Sequence, residues 1–589
     1  MVIQLDRVVF DHTAGAAQTD ALSIRIDGAT AAPDWIRGAA QTSYAAYALV
    51  PTVNQQISIQ ADFSFPQPPP GPLWVRARAI DQSDRVLGNV VEALVPQKGG
   101  RVSFNLADVQ MWDRGTGRYA VSWQWQFQIV AGNSWIDLAR TDHVVFVTLD
   151  VPGGPWTQGQ SVADQRLWPW TRVLRWACGW GAGVKLTSTG LSGAAKKLLR
   201  KLEAGLYEQG RRKSVPLQYL EVDTSDYSQD FPARVFFGTA FLDLLDGIPQ
   251  PGLTTQVNCQ DCASALATFA NALGCGAQQK RVSHEDDFLL RTNRIVLIGE
   301  SDDDPETHWF GYHEFVARLR ASDQTPLIHD ACLKIDADAD PTRFDEDHRF
   351  DLAEGMELGA FVDDPPQFRY AHRLFEPEQW SACVLADLAF RCLDDCAGQA
   401  NQADAMLVRR YQQIRADIDR LNPTGGGVGQ PELRSPLLRD FALYDRIEDP
   451  RQWANLGLVT RSVDFFYMAT GERDRGRDRR LRLSVAYSDS EKKARDALAW
   501  MLAQTQARVS LESRNGLAFA TLRNSALYMI RGNALTRAVN VGRDKLPLAS
   551  LVPVLDENLQ RLGRPGPDPV PHGVTDKRRK TIRSTPRRT

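Results

Sequence analysis

Alternation of apolar and polar positions dominates residues 1–155. The runs LSIRID, QISIQADFSF, LWVRARAI, RVSFNL, YAVSWQWQFQIV and HVVFVTLDV are rich in β-branched and aromatic residues, with Gly, Pro, Asp or Asn at their ends. Side chains on a strand alternate between its two faces, so this period of two predicts strands. About seven strands at this spacing predict an all-β, Ig-like sandwich. In SWQWQFQIV, Trp123, Trp125 and Phe127 fall on one face and the glutamines on the other, which predicts core against solvent. PQPPPGP (66–72) has too few N–H donors for a central strand and is expected as a stiff loop or edge.

The pattern then changes. Residues 153–180 form a Gly-Pro-Trp connector containing Trp168, Trp170, Trp176 and Trp180, expected as a packed joint. A basic amphipathic helix is expected within 186–212, with its charges on a solvated face. Residues 376–436 divide into a helical connector and a Gly/Pro linker, NPTGGGVGQPELRSP (422–436). Residues 437–562 read as a small α+β module. There RLRLSVAY is a strand, SEKKARDALAWMLAQTQ a helix, three more strands follow, and LASLVPVLDENLQRL is a closing helix. The tail, 563–589, is Pro-rich and basic and is expected to be disordered.

Composition narrows the class. The chain has 589 residues, 43% hydrophobic and 24% charged, so it is globular and too long for one core. A net charge of −3 argues against a global nucleic-acid binder. The basic tail remains available to a nucleic acid or an acidic partner. No apolar run is long enough to span a membrane. The N-terminus, MVIQLDRVVFDHT, lacks the basic and apolar regions of a Sec signal. A cytoplasmic location is expected, with non-Sec export leaving no mark. Eight cysteines in a chain of this length do not make a disulfide framework.

The chemistry concentrates in QVNCQDCASALATFANALGCG (256–276). Ala263, Leu266, Phe269, Ala270 and Leu273 recur at helical spacing, Asn258 suits an N-cap, Asp261 completes a capping box, and Gly274 suits a stop. A helix over roughly 259–273 places Cys259 in its first turn, where the dipole favours a thiolate and is expected to lower the thiol pKa. A thiol nucleophile needs a proton carrier and a group that orients it. WFGYHEFVARLR (309–320) reads as a strand bearing His313, LIHDACLKID (327–336) as the next strand, bearing Asp330, and the turn falls near Ser322 and Asp323. A hairpin brings His313 and Asp330 together.

These residues resemble the transglutaminase-like superfamily. The helix-opening stretch Asn258-Cys259-Gln260-Asp261-Cys262-Ala263 leads to Ala272-Leu273-Gly274, then His313-Glu314-Phe315-Val316, then Asp330-Ala331. The register selects Cys259 over Cys262. The resemblance implies a multidomain protein whose central α+β, transglutaminase/papain-like core spans 156–375. It further implies a Cys259–His313–Asp330 triad performing thiol-dependent acyl transfer on protein or peptide amides, most simply as a peptidase or deamidase. Glu314 stands where the family often has an aromatic. Gln256 is the oxyanion-hole candidate by position, and a member of the Trp168–Trp180 group is another.

Other readings compete. Cys259 and Cys262 with His308 and His313 would make a zinc set of poor spacing, and DADADPTRFDED (336–347) lacks the Gly and closing Glu of a calcium loop. Neither a metal nor a cofactor is expected. A non-catalytic scaffold, assembling through the β-sandwich or the C-terminal module, is the second functional class. A transamidating toxin or injected effector is the third.

Overall fold

The computed structural model describes residues 3–561 apart from loop stretches, chiefly 11–20, 27–33, 51–56, 339–348, 362–367, 395–404, 425–432 and 471–476, and describes none of 562–589. The basic tail and most of the acidic 336–347 stretch therefore lie outside the described residues. The fold is mixed α+β with several separate sheets. The chain forms two compact units: Met1–Ile414 with Ala499–Val509, and Arg415–Leu498 with Ser510–Thr589. Among the described residues no helix is long and apolar enough to cross a membrane.

In the first unit, residues 1–150 build two sheets. One has the order Trp35–Ile36, Gln4–Val9, Ile57–Ser64, Gly100–Leu106; the other Ser43–Ala48, Ile136–Thr148, Gly117–Gln128, Leu73–Ile80, Val91–Val95. Pairing is antiparallel except between Ser43–Ala48 and Ile136–Thr148. The sheets face each other through aromatics: Phe63 and Phe104 set their rings edge-on to Trp125 at 6.0 and 5.4 Å. Truncating a buried Trp such as Trp123 or Trp125 costs roughly 3–5 kcal/mol. LSIRID contributes an isolated bridge, Arg25 with Trp170, in place of a strand. The glutamines after Trp125 are not solvated: Gln126 and Gln128 are buried. A register shift at Trp125/Gln126 turns the strand, and Arg76 and Asp137 hydrogen-bond Gln126.

The rest of the unit is organised around the helix Cys259–Ala272, every residue of which is buried. The helices Thr171–Trp180 and Gly190–Tyr207 pack against it. A five-stranded antiparallel sheet lies alongside, in the order Met356–Glu357, Pro326–His329, Tyr312–Leu319, Gln278–His284, Cys383–Leu388. A four-stranded sheet orders Glu306–Phe310, Leu290–Leu297, Leu333–Asp336, Phe350–Asp351. The Trp-rich connector is a packed joint: Trp156 donates to Thr268 O at 2.9 Å, and Trp180 stacks on Phe269 at 5.6 Å. The basic stretch yields the helix Gly190–Tyr207, which buries Leu198, Leu199, Leu202 and Leu206. Gly274 ends the central helix at φ +77°, and a Cβ there would meet the Asp150 carbonyl carbon at 2.6 Å.

The second unit is a seven-stranded antiparallel sheet in the order Phe441–Glu448, Arg461–Ala469, Arg480–Tyr487, Ala534–Asn540, Ala526–Arg531, Leu517–Leu522, Leu511–Arg514, with the helix Val552–Arg561 packed on it. The first two strands and Leu517–Leu522 escaped the sequence reading.

Candidate active site

Cys259 occupies the first turn that the sequence assigned to it. Asn258 accepts from Asp261 N at 3.2 Å and Asp261 accepts from Asn258 N at 3.1 Å, the reciprocal cap. Asp261 also accepts from the Ser225 and Ser228 hydroxyls. Burial nevertheless pushes its carboxyl up to about 7.

His313 lies on Tyr312–Leu319, between two partner strands of the five-stranded sheet. The expected continuous strand 309–320 breaks at Gly311. The expected strand 327–336 also breaks, between Pro326–His329 and Leu333–Asp336. The second break has a local cause. The Asp330 carboxylate takes the backbone N–H of Cys332 at 3.1 Å, an Asx-type turn that competes with the ladder. That turn aims the other carboxylate oxygen at His313, and His313 Nε2 and Asp330 Oδ2 are 2.7 Å apart. Tyr370 donates to the same oxygen at 2.6 Å, and the Cys332 thiol to Oδ1 at 3.1 Å. Burial opposes ionisation of Asp330, but the His313 charge and these hydrogen bonds outweigh it and hold its pKa below the ordinary value. His313 Nδ1 is buried without a hydrogen-bond partner. Phe310 stacks on the imidazole at 5.2 Å.

The structure joins His313 to Asp330 but makes no hydrogen bond between Cys259 and His313. The Cys259 sulfur instead takes the backbone N–H of Glu314, next to His313 in the chain, and the side-chain Nε2 of Gln506. Burial first, then the Glu314 charge, raise the Cys259 pKa well above that of an ordinary thiol. The Glu314 N–H and the Arg281 charge act in the opposite sense but do not reverse this, so the expected lowering is not found. Gln256 lies in Gln256–Val257, buried just before the helix.

Glu314 belongs to a buried ionic cluster. Arg281 and Arg391 each bridge Asp230 and Glu314, and Arg234 bonds Asp230 at 3.1 Å. Gln260, on the Cys259–Ala272 helix, donates to Asp230 at 2.8 Å, and Gln279 donates to Glu314 at 2.8 Å. Burial disfavours the Glu314 anion, but Arg391 and Arg281 overcome this and hold its pKa well below the usual carboxylate range. These arginines account for a buried charge at position 314.

Sequence reasoning missed Glu203, Tyr219, Tyr370 and Gln506. Glu203 is a fully buried carboxylate that takes Asp330 N at 2.9 Å and pairs with His329 at 2.7 Å. Its position in a basic amphipathic helix disguised it. Gln506 is 247 residues from Cys259, and no local pattern reveals such a pairing.

Ligand atoms of His313, Asp330 and Cys332 lie within 4.8 Å of one another, a possible metal set in type. They are already bonded to each other, so a cation would have to displace the His313–Asp330 pair. Six cysteines are free and buried, and Cys392 is disulfide-bonded.

No protein-family model matches the chain, and no curated protein does. Among solved structures, a glycosyl hydrolase family 2 member from Bacteroides cellulosilyticus DSM 14838 aligns at 8% identity, over 83% of this chain and 73% of that one, with a TM-score of 0.18. A similarity this slight carries no argument about fold or function.

Proposed function

We propose that residues 156–375 form a transglutaminase-like core that performs thiol-dependent acyl transfer on protein or peptide amides. Cys259 is the nucleophile, His313 the proton carrier and Asp330 the orienting acid. The observation that carries this reading is the buried 2.7 Å His313–Asp330 pair, on the strand whose Glu314 N–H meets the Cys259 sulfur at a capped helix N-terminus. With Nε2 held against Asp330, Nδ1 is the His313 nitrogen left to take the thiol proton. The thiolate adds to the amide carbonyl, the amine leaves with that proton, and water resolves the thioester. We favour hydrolysis, as a peptidase or deamidase, over transamidation. The Ig-like sandwich and the C-terminal sheet would serve protein assembly or delivery, including delivery as an injected effector.

A non-catalytic scaffold is the second reading. It is favoured by the complete burial of Cys259 and the missing Cys259–His313 hydrogen bond.

The test is iodoacetamide labelling followed by peptide mass mapping in a Gln506→Ala background, where the amide on the sulfur is gone. Cys259 is expected to label faster than Cys178 and Cys275, and His313→Ala in the same background is expected to abolish the difference. Labelling of Cys259 no faster than Cys262, or indifferent to His313, would put the scaffold reading in its place.

A further inference from the structure

The side chain on the nucleophile is itself a carboxamide. Gln506 Nε2 donates to Cys259 Sγ, while Gln506 Oε1 accepts from the Tyr219 hydroxyl at 3.1 Å. The segment carrying it is held in place. Gly311 N donates to Gln506 O at 2.5 Å, Tyr312 donates to Gln504 O at 2.9 Å, and the Arg410 guanidinium donates to Ala507 O. Asp230 N donates to Gln504 Oε1 at 3.1 Å. Gly311 is required for this approach, because a Cβ there would lie 2.7 Å from Gln506 O. Gln506 and Cys259 are both fully buried. Ala499–Val509 belongs to the same compact unit as the Cys259 helix, although Arg415–Leu498, which precedes it in the chain, does not.

We propose that Gln506 is an acyl donor to Cys259 within its own chain, and that the two form an internal thioester. This deepens the acyl-transfer reading and rests on it.

The Gln506 carbonyl carbon is one bond from the nitrogen on the sulfur, so turning the terminal torsion presents its face to Sγ. The sulfur adds to that carbon, and the Tyr219 O–H donates to the developing oxyanion. The thiol proton passes to the unpartnered Nδ1 of His313 and on to the departing nitrogen. One S–H and one C–N bond break; one C–S and one N–H bond form; ammonia leaves. No oxidant or co-reactant is needed. Holding thiol and carboxamide together makes the step intramolecular. Ammonia dilutes into solvent, which disfavours return, and the absence of exposed surface at either residue slows the access of water to the thioester. An amine that reaches it becomes attached to residue 506, and water that reaches it leaves Glu at that position.

The experiment is the intact mass of the purified full chain under acidic denaturation, with peptide mapping, before and after incubation with methylamine. The expected result is a deficit of one ammonia, with the Cys259 and Gln506 peptides joined, and one methylamine taken up at position 506. Both signals should vanish in Cys259→Ala and in Gln506→Ala. Conversion of Gln506 to Glu that depends on Cys259 also supports the proposal, as the hydrolysed thioester. Full mass, an intact Gln506 and no methylamine uptake in the unsubstituted protein overturn it, whatever the variants do. Fast, His313-dependent labelling of Cys259 in Gln506→Ala would then leave the acyl-transfer reading standing, with Gln506 a blocking group. An inert Cys259 there would remove both.

Discussion

The two compact units bury charge differently. In the C-terminal sheet, apolar side chains such as Leu481, Leu483 and Val485 face the core, and Arg482 bonds Asp464 on the adjacent strand at 2.7 Å. That pair is local, made within one antiparallel ladder. In the first unit, Arg281 and Arg391 reach Asp230 and Glu314 from separate chain segments, and Arg234 joins Asp230 from four residues away, beside the Cys259 helix. Dehydrating five charged groups costs several kcal/mol each before pairing offsets it. A well-packed apolar cluster would hold the same elements together without that cost. The contrast is one of reach: the ladder pair ties two neighbouring strands, whereas the cluster ties Gln260 of the Cys259 helix and Glu314, next to His313, into one network.

The strongest test of this contrast is charge removal in each unit. Arg391→Met leaves two buried carboxylates under-paired and should cost about 3–5 kcal/mol in urea unfolding. Arg482→Met leaves one buried carboxylate, Asp464, under-paired in place of two and should cost less; an equal or larger loss would break the distinction. At the candidate triad, Tyr370→Phe keeps the ring and removes one hydrogen bond to a buried carboxylate. A loss of about 1.5–3 kcal/mol is expected, with the Asp330 carboxyl titrating at higher pH by carbonyl-sensitive NMR.

Protonation gives a smaller and more selective effect. The folded pKa of Asp261, at about 7, lies above the unfolded value of about 3.9, so the folded state retains the proton longer. The contribution of this group to stability is therefore greatest at low pH and declines as pH rises from the unfolded to the folded value. Asp261→Asn should flatten that decline in a pH series of unfolding midpoints. Asp330, whose pKa is lowered, works in the opposite sense: its contribution is present above the unfolded pKa and lost as pH falls through the folded one. The smallest effect belongs to the exposed Arg446–Glu448 pair on the outer strand of the C-terminal sheet. Glu448→Ala should shift stability by about 0–1 kcal/mol in thermal unfolding.

Much of this was legible locally. Asn258, Asp261 and Gly274 mark the ends of the Cys259 helix because capping and termination are short-range hydrogen-bond and backbone requirements. His313 and Asp330 were legible as a pair because hairpin geometry is also short-range. The break at Gly311 was not, because it depends on Gln506 O from far along the chain; the break at Asp330 is a short-range turn that the β-like pattern of 327–336 hid. The strands Gln4–Val9, Ser43–Ala48 and Phe441–Glu448 were missed because mixed or Ala-rich composition signals β weakly until neighbouring strands supply the ladder.

The sequence by itself determined a capped helix opening with Cys259, a following strand with His313, and an acid placed to meet it. These follow from interactions within a few residues or across one turn. Only the tertiary structure decided what surrounds them: Glu203 and Tyr370 around Asp330, two arginines on Glu314, and Gln506 on the sulfur. It also reversed the expected direction of the Cys259 pKa, because desolvation depends on every group that packs over the thiol.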